Sequence, residues 1–206
     1  MYRKFGKRAL DVLFALLALP LVGLAILVCA PVIFLTDRGP VFYNAPRRGK
    51  DGRVFRMFKL RTMRKNSPLL KNADGSAYSG DDDPRVTKVG RILRRLSIDE
   101  LPQILNVLIG DMSFIGPRPT LPRGNYEDFD DMRKKRLTVR PGITGYAQAY
   151  YRNSITQEEK FRHDCYYAEH LSFALDVKIL WQTARSVLAR KNINYRESAQ
   201  KKDVAK

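Results

Sequence analysis

From Ala9 to Thr36 the chain is apolar on every side, with no helical or strand period: ALDVLFALLALPLVGLAILVCAPVIFLT carries one charge, Asp11. This run exceeds the ~20 apolar residues that cross a bilayer, so it predicts a membrane helix. A secretory leader is the other reading of such an N-terminus. Pro31-Val32-Ile33-Phe34-Leu35 argues against it by carrying the apolarity past any small-residue cleavage site. Arg3, Lys4, Lys7 and Arg8 precede the run, and Arg38, Arg47, Arg48, Lys50, Arg53 and Arg56 follow it. The positive-inside rule places both basic flanks in the cytoplasm, which a straight span cannot do. Pro20 divides the run and Pro31 offers a second break; legs of about ten and fifteen residues reach only ~15 and ~22 Å. The pattern predicts a re-entrant helix, with residues 1–38 as the anchor. No serine or threonine stands beside Pro20 to satisfy the carbonyl freed there.

Beyond the anchor the periods become readable. Pro40-Val41-Phe42-Tyr43 and Val54-Phe55-Arg56-Met57-Phe58 are strand-like runs around Gly49-Lys50-Asp51-Gly52, which predicts a hairpin. Residues 64–83 are polar and end in Asp81-Asp82-Asp83, a solvated surface loop by pattern. Val86 to Leu96 predicts a basic helix. A second helix is expected from Ile98 to about Gly110, with Asp99, Gln103 and Asn106 on one face and Ile104, Leu105 and Leu108 on the apolar side. Pro102 loosens its first turn. Thr156 with Glu159 caps a helix to about Glu169. Ser172 opens another, on which Phe173, Val177, Leu180, Trp181, Ala184 and Leu188 form a stripe with core-packing periodicity. Such a stripe beside Lys178, Arg185 and Arg190 also suits a membrane interface. The expected fold is mainly α with a short β-hairpin: a monotopic membrane protein with a re-entrant helix and interfacial amphipathic helices. Residues 39–190 are expected to form the cytoplasmic domain, and 191–206 a charged, disordered tail.

Composition changes the picture in one respect. A net charge of +17 over 206 residues implies polyanionic partners: nucleic acid, anionic lipid or phosphorylated substrates. The membrane segment selects lipid over nucleic acid. Two cysteines, Cys29 and Cys165, provide no disulfide framework, and His163 and His170 have no ligand cluster around them.

The chemistry concentrates in Arg94-Arg95-Leu96-Ser97-Ile98-Asp99-Glu100-Leu101-Pro102-Gln103. Ser97 and Glu100 have capping-box spacing, and acids in a first turn suit the helix dipole without any catalysis. Two carboxylates beside guanidinium groups are also held ionised, ready to act as nucleophile or metal ligand on an anionic substrate. Downstream, Gly116-Pro117-Arg118-Pro119 presents a rigid arginine suited to a phosphate fork. Arg140-Pro141-Gly142-Ile143-Thr144-Gly145 is a second rigid loop, followed by Gln148 and Arg152, a setting that can hold an anion.

FKLRTM, DPRVTKVGRILRRLSIDELPQILNVLIGDMSFIGPRP and RPGITGYAQ, in this order behind a basic N-terminus and a membrane segment, resemble the monotopic phosphoglycosyl transferases, bacterial sugar transferases, from about Met1 to Arg190. The resemblance is to their small, single-domain form. It implies an enzyme on the cytoplasmic face of the bacterial inner membrane that moves a phospho-sugar from a UDP-sugar to polyprenyl phosphate, through a covalent intermediate and with Mg²⁺. Asp99 and Glu100 match the family's dyad, with Asp99 the nucleophile and both residues candidate metal ligands. Lys59, Arg94 and Arg118 match its substrate-binding cations. The family's Ser-Pro pair at the membrane kink is here Leu19-Pro20. Two other classes compete: a charge-driven membrane binder, and a metal phosphohydrolase using the same carboxylates with water.

Overall fold

The apolar run folds as a single helix, α1 (Lys7–Asp37), after a wide helical turn at Tyr2–Gly6. The computed structural model describes residues 1–68, 70, 78, 83–151 and 154–188; the predicted disordered tail lies outside them. Neither Pro20 nor Pro31 ends α1, since each removes one N–H donor while adjoining turns keep theirs. Asp11, Ala15, Val22 and Ile33 are buried along it, with Ala18, Leu19, Ile26 and Cys29 packed beside them. These positions recur every three to four residues and make one face. The remaining surface leaves Leu17, Leu21, Leu24, Leu27 and Leu35 exposed. Both ends of α1 are tied to the rest of the chain. Arg8 donates to the carbonyls of Val107 and Leu108, and Arg61 grips both carboxylate oxygens of Asp37 at 2.6 Å.

The expected hairpin exists, but its first strand is displaced. Strand β1 (Ala45–Arg48) pairs antiparallel with β2 (Val54–Met57), while Phe42 forms a separate bridge with Leu60. The ladder is interrupted because Phe58 N–H turns away to Asn106 Oδ1 at 2.8 Å, and Asn106 Nδ2 donates to Arg56 O at 2.8 Å. A fully buried asparagine thereby fastens the hairpin to helix α3 (Gln103–Ile109). Ahead of α3 lies α2 (Lys88–Arg95), capped by Thr87, whose Oγ1 accepts from Gly90 N.

The two rigid loops are partners, a pairing that neither loop's sequence signals. Strand β3 (Ser113–Ile115) runs parallel to β4 (Gly142–Thr144). The approach is close enough to require glycine: a Cβ on Gly142 would lie 2.1 Å from Gly116 N, and one on Gly145 2.1 Å from Gly116 O. Helices α4 (Asp131–Arg136), α5 (Tyr146–Tyr150), α6 (Gln157–His170) and α7 (Phe173–Leu188) complete the body. The capping box at Thr156 and Glu159 forms as expected.

Two expectations are overturned. The stripe of α7 assigned to the core faces outward, with Phe173 56% and Trp181 73% exposed. Its buried side carries Asp176 and Ile179, with Thr183 bonded to Thr144 and Ser186 to Ala149 O. Asp176 decides the rotation: Tyr2, Lys7 and Tyr167 all donate to it, so a charged residue is buried at low cost. The apolar stripe is left outside, as the interfacial reading expects. Asp83 is not solvated; it is fully buried and bonded by Arg85 at 2.7 and 2.8 Å, whereas Asp81 and Asp82 lie outside the described residues.

Candidate active site

The segment carrying the two carboxylates is built from three short pieces rather than one helix. Helix α2 packs on the Lys59–Met63 segment so closely that a Cβ on Gly90 would lie 2.0 Å from Thr62 O. After Leu96 the chain turns through Ser97, which adopts the left-handed conformation (φ 57°). A single tight turn, Ile98–Glu100, follows, and Pro102 then starts α3. The expected capping box therefore does not form. Ser97 makes no cap bond, because an N-cap needs extended backbone to aim its oxygen at the following N–H groups. The expected shared face does form: Asp99, Gln103 and Asn106 are all buried. On the apolar side Ile104 and Val107 are buried, while Leu105 is exposed.

Asp99 is 2% exposed, its backbone carbonyl accepting from Leu60 N at 2.9 Å. Lys59 Nζ lies 2.8 Å from Asp99 Oδ2, an ion-pair distance, yet without hydrogen-bond geometry. Oδ2 is thus a buried carboxylate oxygen with a cation beside it and no donor bound to it. Lys59 also bonds Glu100 Oε1 at 3.2 Å, and Arg118 Nη2 reaches the same oxygen at 3.3 Å. Burial pushes the Glu100 carboxyl up, but Arg118 and Lys59 outweigh it and hold the group at about 2. The Arg118 side chain is 58% exposed, so its guanidinium meets Glu100 from the solvent side.

Of the cations expected at the site, Lys59 and Arg118 meet the dyad directly. Arg94 donates to Thr62 Oγ1 at 2.9 Å; burial lowers its pKa, and the field of Asp99 partly restores it. Two other expected site residues stand elsewhere. Arg140 donates to Gly110 O at 2.8 Å and lines a separate cavity of about 170 Å³ with Lys50, Arg53 and Asp111. Gln148 donates to Ile143 O and holds a buried, unpaired Oε1. Arg152 lies outside the described residues. His163 stacks on Tyr151 with ring centres 4.3 Å apart, and His170 on Tyr166 at 4.3 Å.

Sequence reasoning missed Arg136 and Asp164. Arg136 Nη2 donates to Arg118 O at 2.7 Å and to Asp164 Oδ2 at 2.8 Å, with both side chains buried. They fix the backbone that presents Arg118. An arginine inside a run of four basic residues, Arg133–Arg136, carries no local mark of burial. For metal chemistry the donors are Asp99 and Glu100; among the described residues no three His, Cys, Asp or Glu side chains gather.

The family model described as bacterial sugar transferase matches residues 2–190. The chain is 42% identical over 190 residues to the UDP-N-acetylgalactosamine-undecaprenyl-phosphate N-acetylgalactosaminephosphotransferase of Aeromonas hydrophila, covering 89% of this chain and 44% of that protein. It is 41% identical to the uncharacterized sugar transferase EpsL of Bacillus subtilis (strain 168), covering 91% of this chain and 89% of EpsL. It is 37% identical to the UDP-glucose:undecaprenyl-phosphate glucose-1-phosphate transferase of Escherichia coli (strain K12), over 86% of this chain and 39% of that one. The chain therefore spans less than half the length of the first and third of these relatives.

Proposed function

Since the chain belongs to the bacterial sugar transferase family, we propose that it moves a sugar 1-phosphate from a UDP-sugar to polyprenyl phosphate, undecaprenyl phosphate in the relatives' names, with Asp99 as nucleophile. The observation that carries this reading is the Asp99 carboxylate: buried, with Lys59 Nζ 2.8 Å from Oδ2, and next to Glu100, which meets Arg118. A carboxylate can attack phosphorus when a cation beside it offsets the charge of the incoming anion.

In the first step a carboxylate oxygen of Asp99 bonds to the β-phosphorus. The bond from that phosphorus to the bridging oxygen breaks, and its electron pair leaves with UMP. In the second step a phosphate oxygen of the lipid attacks the same phosphorus and expels Asp99, giving the lipid diphosphosugar. Dividing the reaction lets one small pocket serve two bulky substrates in turn. Lys59 reduces the repulsion between Asp99 and the incoming diphosphate, while Arg118, exposed and rigidly based, grips phosphate oxygens. Glu100, ionised at any physiological pH, keeps both cations aimed at the site. The residues fit Mg²⁺, which takes one or two carboxylates and completes its shell with phosphate oxygens and water. Asp99 and Glu100 would hold it, and the ion would neutralise phosphate charge when bound.

Location follows from α1. Its two ends are held by the same body, Arg8 on α3 and Asp37 on Arg61, with bare leucines between them. A helix fastened to one body at both ends, with basic flanks at each, suits an anchor that enters and leaves on one side. We place that side in the cytoplasm, at the inner membrane, where the outward stripe of α7 meets the lipid interface. Single cysteines near Tyr2 and Arg38, in a background lacking Cys29 and Cys165, should both resist a membrane-impermeant thiol reagent added from the periplasm. Labelling of only the Tyr2 site would establish a straight span.

The chemical test uses a UDP-sugar labelled in the β-phosphate, with Mg²⁺ and no lipid. The enzyme should become labelled, release at most about one equivalent of UMP per site, and discharge the label when polyprenyl phosphate is added. Asp99→Asn should abolish labelling. Continuous sugar-phosphate release without lipid would instead establish a hydrolase.

A further inference from the structure

The cavity of about 170 Å³ lies between the hairpin turn and Gly110, with Lys50, Asp51, Arg53, Asp111 and Arg140 as its charged lining. At ~30 Å³ per water it has room for a group of several heavy atoms. Asp99 and Glu100 precede α3 and Gly110 follows it, so the 7 residues of that helix separate the cavity from the dyad. At 1.5 Å per residue that is about 10 Å. Gly110 stands between two guanidinium groups. Arg140 Nε donates to its carbonyl at 2.8 Å, and a Cβ added to it would lie 3.5 Å from Arg8 Nη2.

Arg8 fixes the height of this cavity. It belongs to the first turn of α1, and the basic flank of a membrane helix sits among the lipid head groups. Gly110, touching Arg8, sits there too. Leu105 and Ile109 on α3 and Val54 next to Arg53 are exposed on the elements that bound the cavity, as a surface covered by lipid requires. Its charges are only partly answered. Lys50 and Asp51 face each other at 3.5 Å, and Arg140 spends only Nε. Among the described residues the side chains of Arg53 and Asp111 make no hydrogen bond or ion pair.

A metal ion alone would meet two arginines, and a phosphate alone would meet the Asp111 carboxylate. A ligand with a phosphate and an ammonium side by side satisfies both signs. We infer that this cavity binds the phosphoethanolamine head group of a membrane aminophospholipid, its phosphate against Arg53 and Arg140 and its ammonium against Asp111. Guanidinium groups hold phosphate oxygens by paired, charge-assisted bonds. A primary ammonium has three donors for an acceptor-only carboxylate, whereas a trimethylated one has none. A lipid held here fixes the depth of α3, whose other end carries the dyad. The inference goes beyond the transferase reading and takes from it only the membrane placement of α1.

The test titrates the full chain in detergent with phosphatidylethanolamine, phosphatidylcholine and phosphatidylglycerol, with bound lipid counted by native mass spectrometry. Phosphatidylethanolamine should bind at least about tenfold more tightly than phosphatidylcholine, the worth of a hydrogen bond to a charged group. Asp111→Asn should erase that preference. Arg53→Gln, the second variant, should weaken both lipids about tenfold. Equal binding of the two lipids, a preference that survives Asp111→Asn, or lipid binding unchanged in Arg53→Gln would overturn the site. So would phosphatidylglycerol binding more tightly than phosphatidylethanolamine and gaining further in Asp111→Asn, the mark of a purely anionic ligand. Soluble glycerophosphoethanolamine binding as tightly as the lipid would overturn the membrane source, and displacement of the lipid by UDP-sugar would return the cavity to the donor pocket. Native protein that shows the lipid preference yet forms no lipid product from any UDP-sugar would sink the transferase reading alone.

Discussion

Replacing Lys59 with methionine preserves the length of the side chain and deletes the charge between the two carboxylates. The native ammonium is 2.8 Å from Asp99 Oδ2 and 3.2 Å from Glu100 Oε1, with the Asp99 side chain 3% and the Glu100 side chain 21% exposed. Breaking a buried ion pair from one side costs about 3–5 kcal/mol. The lower end applies here, because Glu100 retains Arg118, although that 58% exposed arginine is weakened by solvent. We expect a loss of about 3 kcal/mol at neutral pH. Its pH dependence follows from Glu100, held at about 2 against an ordinary 4.5 by Arg118 and Lys59 in spite of burial. A depressed acid contributes stability above its unfolded pKa and loses it as pH falls through its folded one. The native protein should therefore weaken as pH falls from about 4.5 towards about 2. Without Lys59, burial pulls Glu100 back upward, so the variant lacks this contribution at neutral pH. The gap between the two proteins should narrow as acid removes it from the native one. Urea unfolding followed by circular dichroism in one detergent, from about pH 3 to about pH 8, measures that gap directly. A constant gap over this range, or a variant as stable as the native protein at neutral pH, would refute the reasoning.

Three further outcomes are expected. Ser97→Gly should raise stability by about 0.5–1 kcal/mol, since glycine takes the left-handed conformation without strain; a lower melting temperature would restore the capping role. Gly90→Ala should cost about 2 kcal/mol or more by forcing α2 from Thr62, and activity should fall with it as Arg94 leaves Thr62 Oγ1. An active, equally stable Gly90→Ala would contradict the close packing. Phe173→Ala with Trp181→Ala should reduce partition into liposomes by more than tenfold, at roughly 2 kcal/mol per buried aromatic, with melting in detergent unchanged; a drop in melting temperature would return this stripe to the core.

Some features of this protein are written locally and were legible without coordinates. The long apolar helix is one, because its length and lack of charge are written in consecutive residues before any folding. The capping box of α6 is another, since Thr156 and Glu159 need only each other. The pairing of acids and cations around Asp99 was legible from residue types, and two of the expected cations, Lys59 and Arg118, do meet the dyad.

Other features depend on groups far apart in the chain. The rotation of α7 turns on Asp176, and its donors Tyr2 and Lys7 are 174 and 169 residues away. Periodicity assigned the apolar stripe to the core because it records which residues share a face, not what that face meets. The pairing of β3 with β4 arises from backbones brought together across 26 intervening residues, and the strand start moved because Asn106 claimed the N–H of Phe58. Arg140 and Gln148 had the right chemistry for the site, but their bonds to Gly110 O and Ile143 O direct them elsewhere. Local pattern determines which residues are apolar, capped or charged. Which of them meet is decided by where distant donors and acceptors are satisfied, since a buried polar group left unpaired costs more than a helix loses by turning.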